Sequence, residues 1–393
     1  MFIGEKLKDI RFLHGYSRSD LAQILGVTEQ SIWQYENDYN GPGLDVVNKM
    51  KELFNVKAKY FYDPKSIKKP IHASLIAYRS KEINSVTRTN YEAAHIAHIE
   101  GVLDLFENYI EHPENKLLSI RNYAIDFMFR NEHRLTRTEI IDDLADYART
   151  ALGLEHQNDR LLFILEKNGA FVFEKSLGNS IGAYSVWSEQ QRPIIMLGTE
   201  KKSAVRRNFD LAHELGHLLL HNQIDMSELN KAKHQSIEQE ANEFAAAFLL
   251  PAHEFASDLL SIRKVSNPNS YIELKQKWQV SIQVMVNRAY RLNHITYDQQ
   301  RYFYASMNRM KYTHSEPLDN ELKLIRPGKI RSCLQFLFEQ HLISFEELSD
   351  ATWFNEHLLS KILGLEEGFF VPYKKQNDFC FNVTPLRIRS NSN

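Results

Sequence analysis

The chain has only two cysteines, Cys333 and Cys380, both late and without the close spacing of a thiolate metal site. Neither a disulfide framework nor a cysteine-bound zinc is expected, and a reducing compartment is. Long apolar runs are missing as well. A bilayer span needs roughly 20 apolar residues, and the longest candidate, Phe244 to Leu250, falls far short. The start, Met1-Phe2-Ile3-Gly4-Glu5-Lys6, has no apolar core of a secretory signal. A cytoplasmic protein with no membrane partner is the expectation, and the triplet Asn382-Val383-Thr384 then has no meaning as a glycosylation site. No charge of one sign dominates: 48 Lys and Arg stand against 50 Asp and Glu. That balance neither demands nor excludes nucleic acid, because a small module supplies its own local field. There is no glycine-rich phosphate loop, no nucleophilic triad, no low-complexity tract and no clear internal repeat.

What is present reads as an ordinary soluble composition of two or three domains, since 393 residues exceed the usual single core. Residues 1–62 form a compact helical unit. Apolar residues recur at helical spacing in Ile3, Leu7, Ile10 and Leu13, then Leu21, Ile24 and Leu25, then Val46, Val47, Met50, Leu53 and Phe54. Gly15 ends the first helix and Ser17 caps the second. The proline-bounded polar stretch within 63–75 reads as a linker, and 76–139 as a helical connecting region with a long periodic stretch from Tyr91 to Tyr109. Ile140, Leu144, Tyr147 and Leu152 mark another amphipathic helix. Near Phe163 the period changes: Leu161 to Glu166 is short and apolar. Strands are predicted at Gly169–Phe173, Ala183–Trp187 and Pro193–Leu197. Helix resumes near Ala204, and 301–393 is helical.

Chemistry concentrates in His213-Glu214-Leu215-Gly216-His217. On a helix, histidines at i and i+4 share one face roughly 5–6 Å apart, where both imidazoles can reach one ion. Zinc suits neutral imidazole, and a catalytic site needs three protein ligands with one open position. Glu214, beside the first histidine, is placed to take a proton from a metal-bound water and pass it to a leaving amine. His221 lies about 12 Å along the axis from His213, too far for one straight helix to offer all three ligands. It reads as a buried supporting residue. The third ligand must come from another helix, and Ile237 to Ala246 offers Glu238, with Asn242 one turn on to orient a ligand histidine. Glu240 is the competitor.

Arg206 to His221, followed by Glu238 to Pro251, closely resembles the ImmA/IrrE metallopeptidases. So do the strands around Trp187 and Arg192-Pro193-Ile194-Ile195, and Leu274 to Ser281. The likeness covers about residues 140–300. It implies an α+β zincin-like metallopeptidase domain with a small sheet, in which His213, His217 and Glu238 bind Zn2+ and Glu214 is catalytic. Members of that family act on DNA-bound repressors, which implies a helix-turn-helix repressor as the protein substrate.

Ser17 to Glu36 reads as helix, tight turn at Gly26, and a second helix capped by Thr28, with Ala22, Val27 and Ile32 packing the pair. This resembles the Cro/C1-type (XRE) repressor domains, including Pro42 and the Asn55-Val56 end. Glu29, Gln30, Trp33 and Gln34 would then face the major groove of double-stranded DNA, where glutamine reads adenine. Arg18, Lys6 and Lys49 suit phosphate. The whole is expected to be a multidomain, mostly α chain that pairs as a homodimer on half-sites. A zinc-dependent site-specific endopeptidase coupled to transcriptional regulation is the leading function. The alternative is a DNA-binding regulator whose peptidase-like domain senses without cutting.

Overall fold

The computed structural model describes residues 1–64, 86–111, 114–154, 157–178, 181–200, 203–222, 224 and 229–374. Most of the linker expected at 63–75, the first residues of the 76–139 region, Cys380 and Asn382-Val383-Thr384 lie outside the described residues. The chain divides into two compact units, one drawn from 1–8, 18–66 and 331–393, the other from 9–17 and 67–330.

Four helices open the chain: α1 (Gly4–Leu13), α2 (Arg18–Leu25), α3 (Glu29–Glu36) and α4 (Leu44–Phe54). Gly15 and Gly26 adopt left-handed φ values of +70° and +71° just past α1 and α2, a conformation that glycine takes without the Cβ penalty. Thr28 caps α3 by accepting from the Ser31 amide at 3.1 Å. Leu21, Ala22 and Ile32 are buried between the two helices, so the small residue at 22 permits the close crossing that a helix-turn-helix needs.

The larger part of the second unit, 67–330, holds first α5 (Val86–Glu107), α6 (Lys116–Asn131), α7 (Arg137–Leu152) and α8 (Leu161–Lys167). Thus the apolar run 161–166 is a short helix, and the change of period expected near Phe163 comes only after Lys167. Three strands follow, β1 (Phe171–Lys175), β2 (Ala183–Trp187) and β3 (Pro193–Gly198). Their order is β1-β3-β2, with β1 parallel and β2 antiparallel to β3. Alternation along β2 splits its side chains: Ser185 and Trp187 bond to the following helix, whereas Tyr184 bonds to Glu92 of α5. The sheet is therefore a layer between helices.

That following helix is α9 (Ala204–Leu220), in which every residue except Arg206 and Phe209 is buried. Although α9 carries several polar side chains, it lies in the core, enclosed by β2, α6 and α10 (Lys231–Leu249). Next come α11 (Ala252–Leu259), α12 (Ile272–Trp278), α13 (Ile282–Arg291) and α14 (Tyr297–Arg309), which crosses the boundary expected at 300/301. Ser281 caps α13, and Trp278, Val280, Ile282 and Met285 are buried in the core shared with α9 and α10. The chain ends its described part with α15 (Lys329–Glu339), α16 (Phe345–Thr352), α17 (Glu356–Leu363) and α18 (Val371–Lys374).

Candidate metal centre and nucleic-acid interface

Helical periodicity sets His213, Glu214 and His217 in the middle of α9. The two histidines approach with their Nε2 atoms 3.0 Å apart. From α10, Glu238 brings one carboxylate oxygen to 3.5 Å from His213 Nε2 and the other to 3.3 Å from His217 Nε2. One ligand atom from each of these three residues lies within 4.8 Å of the others, the spacing of a group that could hold a metal ion. Burial works against ionisation of Glu238, but its bonds with the two histidines hold its pKa well below the usual carboxylate range.

Gly216 explains how α10 comes so near. A Cβ at that position would stand 3.1 Å from Phe244 Cδ1 and 3.3 Å from Phe244 Cβ. Even a methyl there would crowd Phe244, and a larger side chain would press on α10, the helix that carries Glu238. The glycine inside the motif is thus a packing requirement, one step removed from the chemistry.

The outward-facing nitrogens fix the imidazole tautomers. Asn242 Oδ1 accepts from His213 Nδ1 at 3.0 Å, which leaves the His213 Nε2 lone pair directed inward. For His217 the arrangement is longer. Glu240 lies 3.2 Å from His221 Nε2 and is also bonded by Arg137. A carboxylate only accepts, so His221 Nε2 carries the hydrogen. Burial lowers the His221 pKa, so the ring is neutral and its Nδ1 accepts from His217 Nδ1 at 3.1 Å. His217 Nε2 then also presents a lone pair inward. Two imidazole lone pairs and one carboxylate form a donor set that zinc accepts. Burial opposes ionisation of Glu240, yet His221 and Arg137 hold its pKa down to about 2. The structure therefore separates the two acidic candidates: Glu238 meets the histidine pair, and Glu240 supports from behind.

Glu214 is buried, and Ser185 Oγ of β2 donates to its carboxylate at 2.8 Å. Ser185 was not singled out in the sequence. Its signal was the polar residue at the centre of a strand that is otherwise buried and apolar. A cleft of about 250 Å3 adjoins the centre, lined by Arg121, Ser185, Trp187, Ser188, His217 and His221. A second cavity of about 310 Å3, beside Phe209 and Glu316, is lined by none of His213, Glu214, His217, Glu238 and Ser185. The basic pair Lys201-Lys202 lies outside the described residues.

On the first unit, Glu29, Gln30 and Trp33 are exposed along α3 and Gln34 is half-buried. The Trp33 ring stacks on Tyr39 at 5.1 Å. Thr28 is engaged as the cap, and Arg18 Nε is bonded to the Glu36 carboxylate at 2.6 Å. Two of the cations suited to phosphate are committed elsewhere. Lys6 is buried with its ammonium over the Tyr60 ring, and Lys49 donates to the Leu25 carbonyl at the end of α2. Both stabilise the domain, as cations do over aromatic faces and at helix C-termini.

Residues 165–290 match the peptidase family model described as the IrrE N-terminal-like domain, and residues 7–61 match the helix-turn-helix model. The chain joins a helix-turn-helix domain to an IrrE N-terminal-like domain. Over 148 residues, 36% of its length, it is 26% identical to a protein of Pyrococcus abyssi provisionally named an HTH-type transcriptional regulatory protein. It is 30% identical over 84 residues, 21% of its length, to the HTH-type transcriptional regulator ImmR of Bacillus subtilis. A provisionally named HTH-type regulatory protein of Thermococcus gammatolerans is 44% identical over 52 residues, 13% of this chain. These alignments span 44%, 64% and 16% of the relatives' own lengths. The His213–His217 helix and Glu238 both fall inside the IrrE N-terminal-like match. Among the described residues no helix is long and apolar enough to cross a membrane.

Proposed function

We propose that this chain is a zinc-dependent, site-specific endopeptidase coupled to transcriptional regulation, and that its substrate is a repressor-type helix-turn-helix protein. The observation that carries this reading is the convergence of His213, His217 and Glu238 beside a buried carboxylate, Glu214. His213, His217 and Glu238 are the ligands, and a bound divalent ion supplies Lewis acidity and an activated water. Glu214 takes and returns the proton at its carboxylate, held in place by Ser185. Among the described residues β2 has a strand partner on one side only, so its other edge can pair with an extended peptide backbone. The cleft next to it receives a side chain of that peptide.

The N-terminal domain, assigned to residues 1–62, binds double-stranded DNA through α3. Gln30 and Gln34 read base edges there, beside Glu29 and Trp33. The peptidase domain is assigned to 140–300, with 76–139 connecting and 301–393 following. The experiment that tests the enzyme is a comparison of new protein N-termini in cells carrying the wild-type chain or Glu214→Gln. Termini found only with wild type name the substrate. A second reading, a DNA-binding regulator that senses without cutting, is favoured by the relatives' printed names as regulators. An identical set of termini in both strains supports it.

A further inference from the structure

The C-terminal helices repeat the N-terminal ones in register. α16 spans 345–352 and α17 spans 356–363, each 327 positions after α2 and α3. Gly26 answers to Trp353, and both are left-handed, at φ +71° and +61°. Thr28 answers to Asn355, and each caps its helix by accepting the amide three residues on. The buried positions correspond as well: Leu21 with Leu348, Ala22 with Ser349, and Ile32 with Leu359. Leu7 and Leu334 are fully buried on α1 and α15. At the same offset, the sequence Phe381-Asn382-Val383 restates Phe54-Asn55-Val56. So many coincidences of length, cap, turn and burial at one offset describe a second helix-turn-helix.

Its surroundings differ from those of the first. Residues 329–374 carry Lys329, Arg331, Lys361 and Lys374 against seven acidic side chains, a net charge of about −3. Phosphate attraction supplies most of non-specific DNA affinity, and this charge opposes it. The turn of the second motif is also occupied by protein. Val56 and Phe354 form an antiparallel bridge. The Lys57 amide donates to the Trp353 carbonyl at 2.7 Å, and the Asn355 amide to the Asn55 carbonyl at 3.0 Å. The Trp353 ring lies against Lys59 and bonds Asp63. Lys57 pairs with Asp350 at 2.7 Å and with Glu346 at 3.7 Å.

We propose that residues 329–374 are a second helix-turn-helix that reads no DNA and serves as the built-in protein partner of the first. Without these bonds the Asn55 carbonyl and the Lys57 amide, just past α4, would be open to another chain. The acidic copy satisfies them within the same chain, so DNA readout rests on α3 alone. This last point depends on the DNA-binding reading above, but the pairing does not.

Two measurements on the full chain test it. The first is hydrogen exchange at the Lys57 and Asn355 amides. Slow exchange in wild type, at least tenfold faster in Lys57→Glu and slowed again in Lys57→Glu/Glu346→Lys/Asp350→Lys, is expected. Rapid exchange in wild type, or no response to charge reversal, overturns the pairing. The second is selection from a random 30-base-pair duplex library. His357→Ala/Lys361→Ala on α17 should recover the wild-type motif, while Gln30→Ala/Gln34→Ala should not. A motif altered by the α17 variant overturns the proposal and makes the second copy a DNA reader. Should wild type recover no motif, the DNA-binding reading fails while the exchange result still decides the pairing.

Discussion

Replacing His221 with Phe is the sharpest test of the supporting chain behind the metal centre. The ring is buried, touches His217 through Nδ1 at 3.1 Å and Glu240 through Nε2 at 3.2 Å. Phenylalanine keeps a flat ring of similar size but has no acceptor for the His217 Nδ1 hydrogen. Leaving a buried donor unpaired costs about 1–3 kcal/mol. His217 can avoid that cost by moving its hydrogen to Nε2, and that tautomer has no lone pair for the ion. Either outcome penalises the bound state. Removing a partner behind a ligand histidine typically costs 10- to 100-fold in metal affinity, which corresponds to about 1.4–2.7 kcal/mol. Zinc affinity of the full chain, measured by competition with a chromophoric chelator at neutral pH, should fall within that range. The metal-free melting temperature serves as the control for folding. A change in affinity of less than threefold, with folding intact, refutes the tautomer argument and makes His221 a packing residue.

Further expectations concern the same machinery and its frame. Glu214→Gln should abolish peptide cleavage while chelator competition reports zinc affinity within about threefold of wild type, since a general base is not a ligand; surviving cleavage would remove Glu214 from its role. Ser185→Ala should lower kcat roughly tenfold or more, within the range of general acid–base effects, with zinc affinity unchanged. Gly216→Val should cost roughly 1–3 kcal/mol as overpacking against Phe244, seen as a lower melting temperature, and should weaken zinc binding by displacing Glu238. Glu139, in the capping box of α7, has its pKa lowered by the Thr136 amide and hydroxyl. A carboxyl group lowered in the folded state stabilises above its unfolded pKa and loses that contribution as pH falls through the folded one. Melting of Glu139→Ala should therefore differ from wild type at pH 7 and converge with it in strong acid; an equal difference at both would contradict the assignment.

The sequence by itself carried the local structure. Period and punctuation located the helix-turn-helix, with Gly15, Gly26 and Thr28 in the roles that backbone conformation demands of them. Short apolar runs bounded by polar turn residues located all three strands within a residue or two, and the i, i+4 histidines marked the helix of the candidate metal centre. These are short-range matters of dihedral preference and of which face is apolar. Tertiary structure decided what depends on separate elements meeting. Glu238 and Glu240 are two residues apart on one helix, and only the approach of α10 to α9, permitted by Gly216, assigns one to the histidine pair and the other to His221. Ser185 gained its partner only when β2 was laid against α9. Lys6 and Lys49 looked alike as phosphate contacts in the sequence, but the fold buries Lys6 and leaves Lys49 exposed with a bond to the Leu25 carbonyl. The repeat of the helix-turn-helix left little signal in the sequence beyond Phe381-Asn382-Val383, because the two copies share few side chains; they share burial, caps and a left-handed turn, and Trp353 performs in one what Gly26 performs in the other.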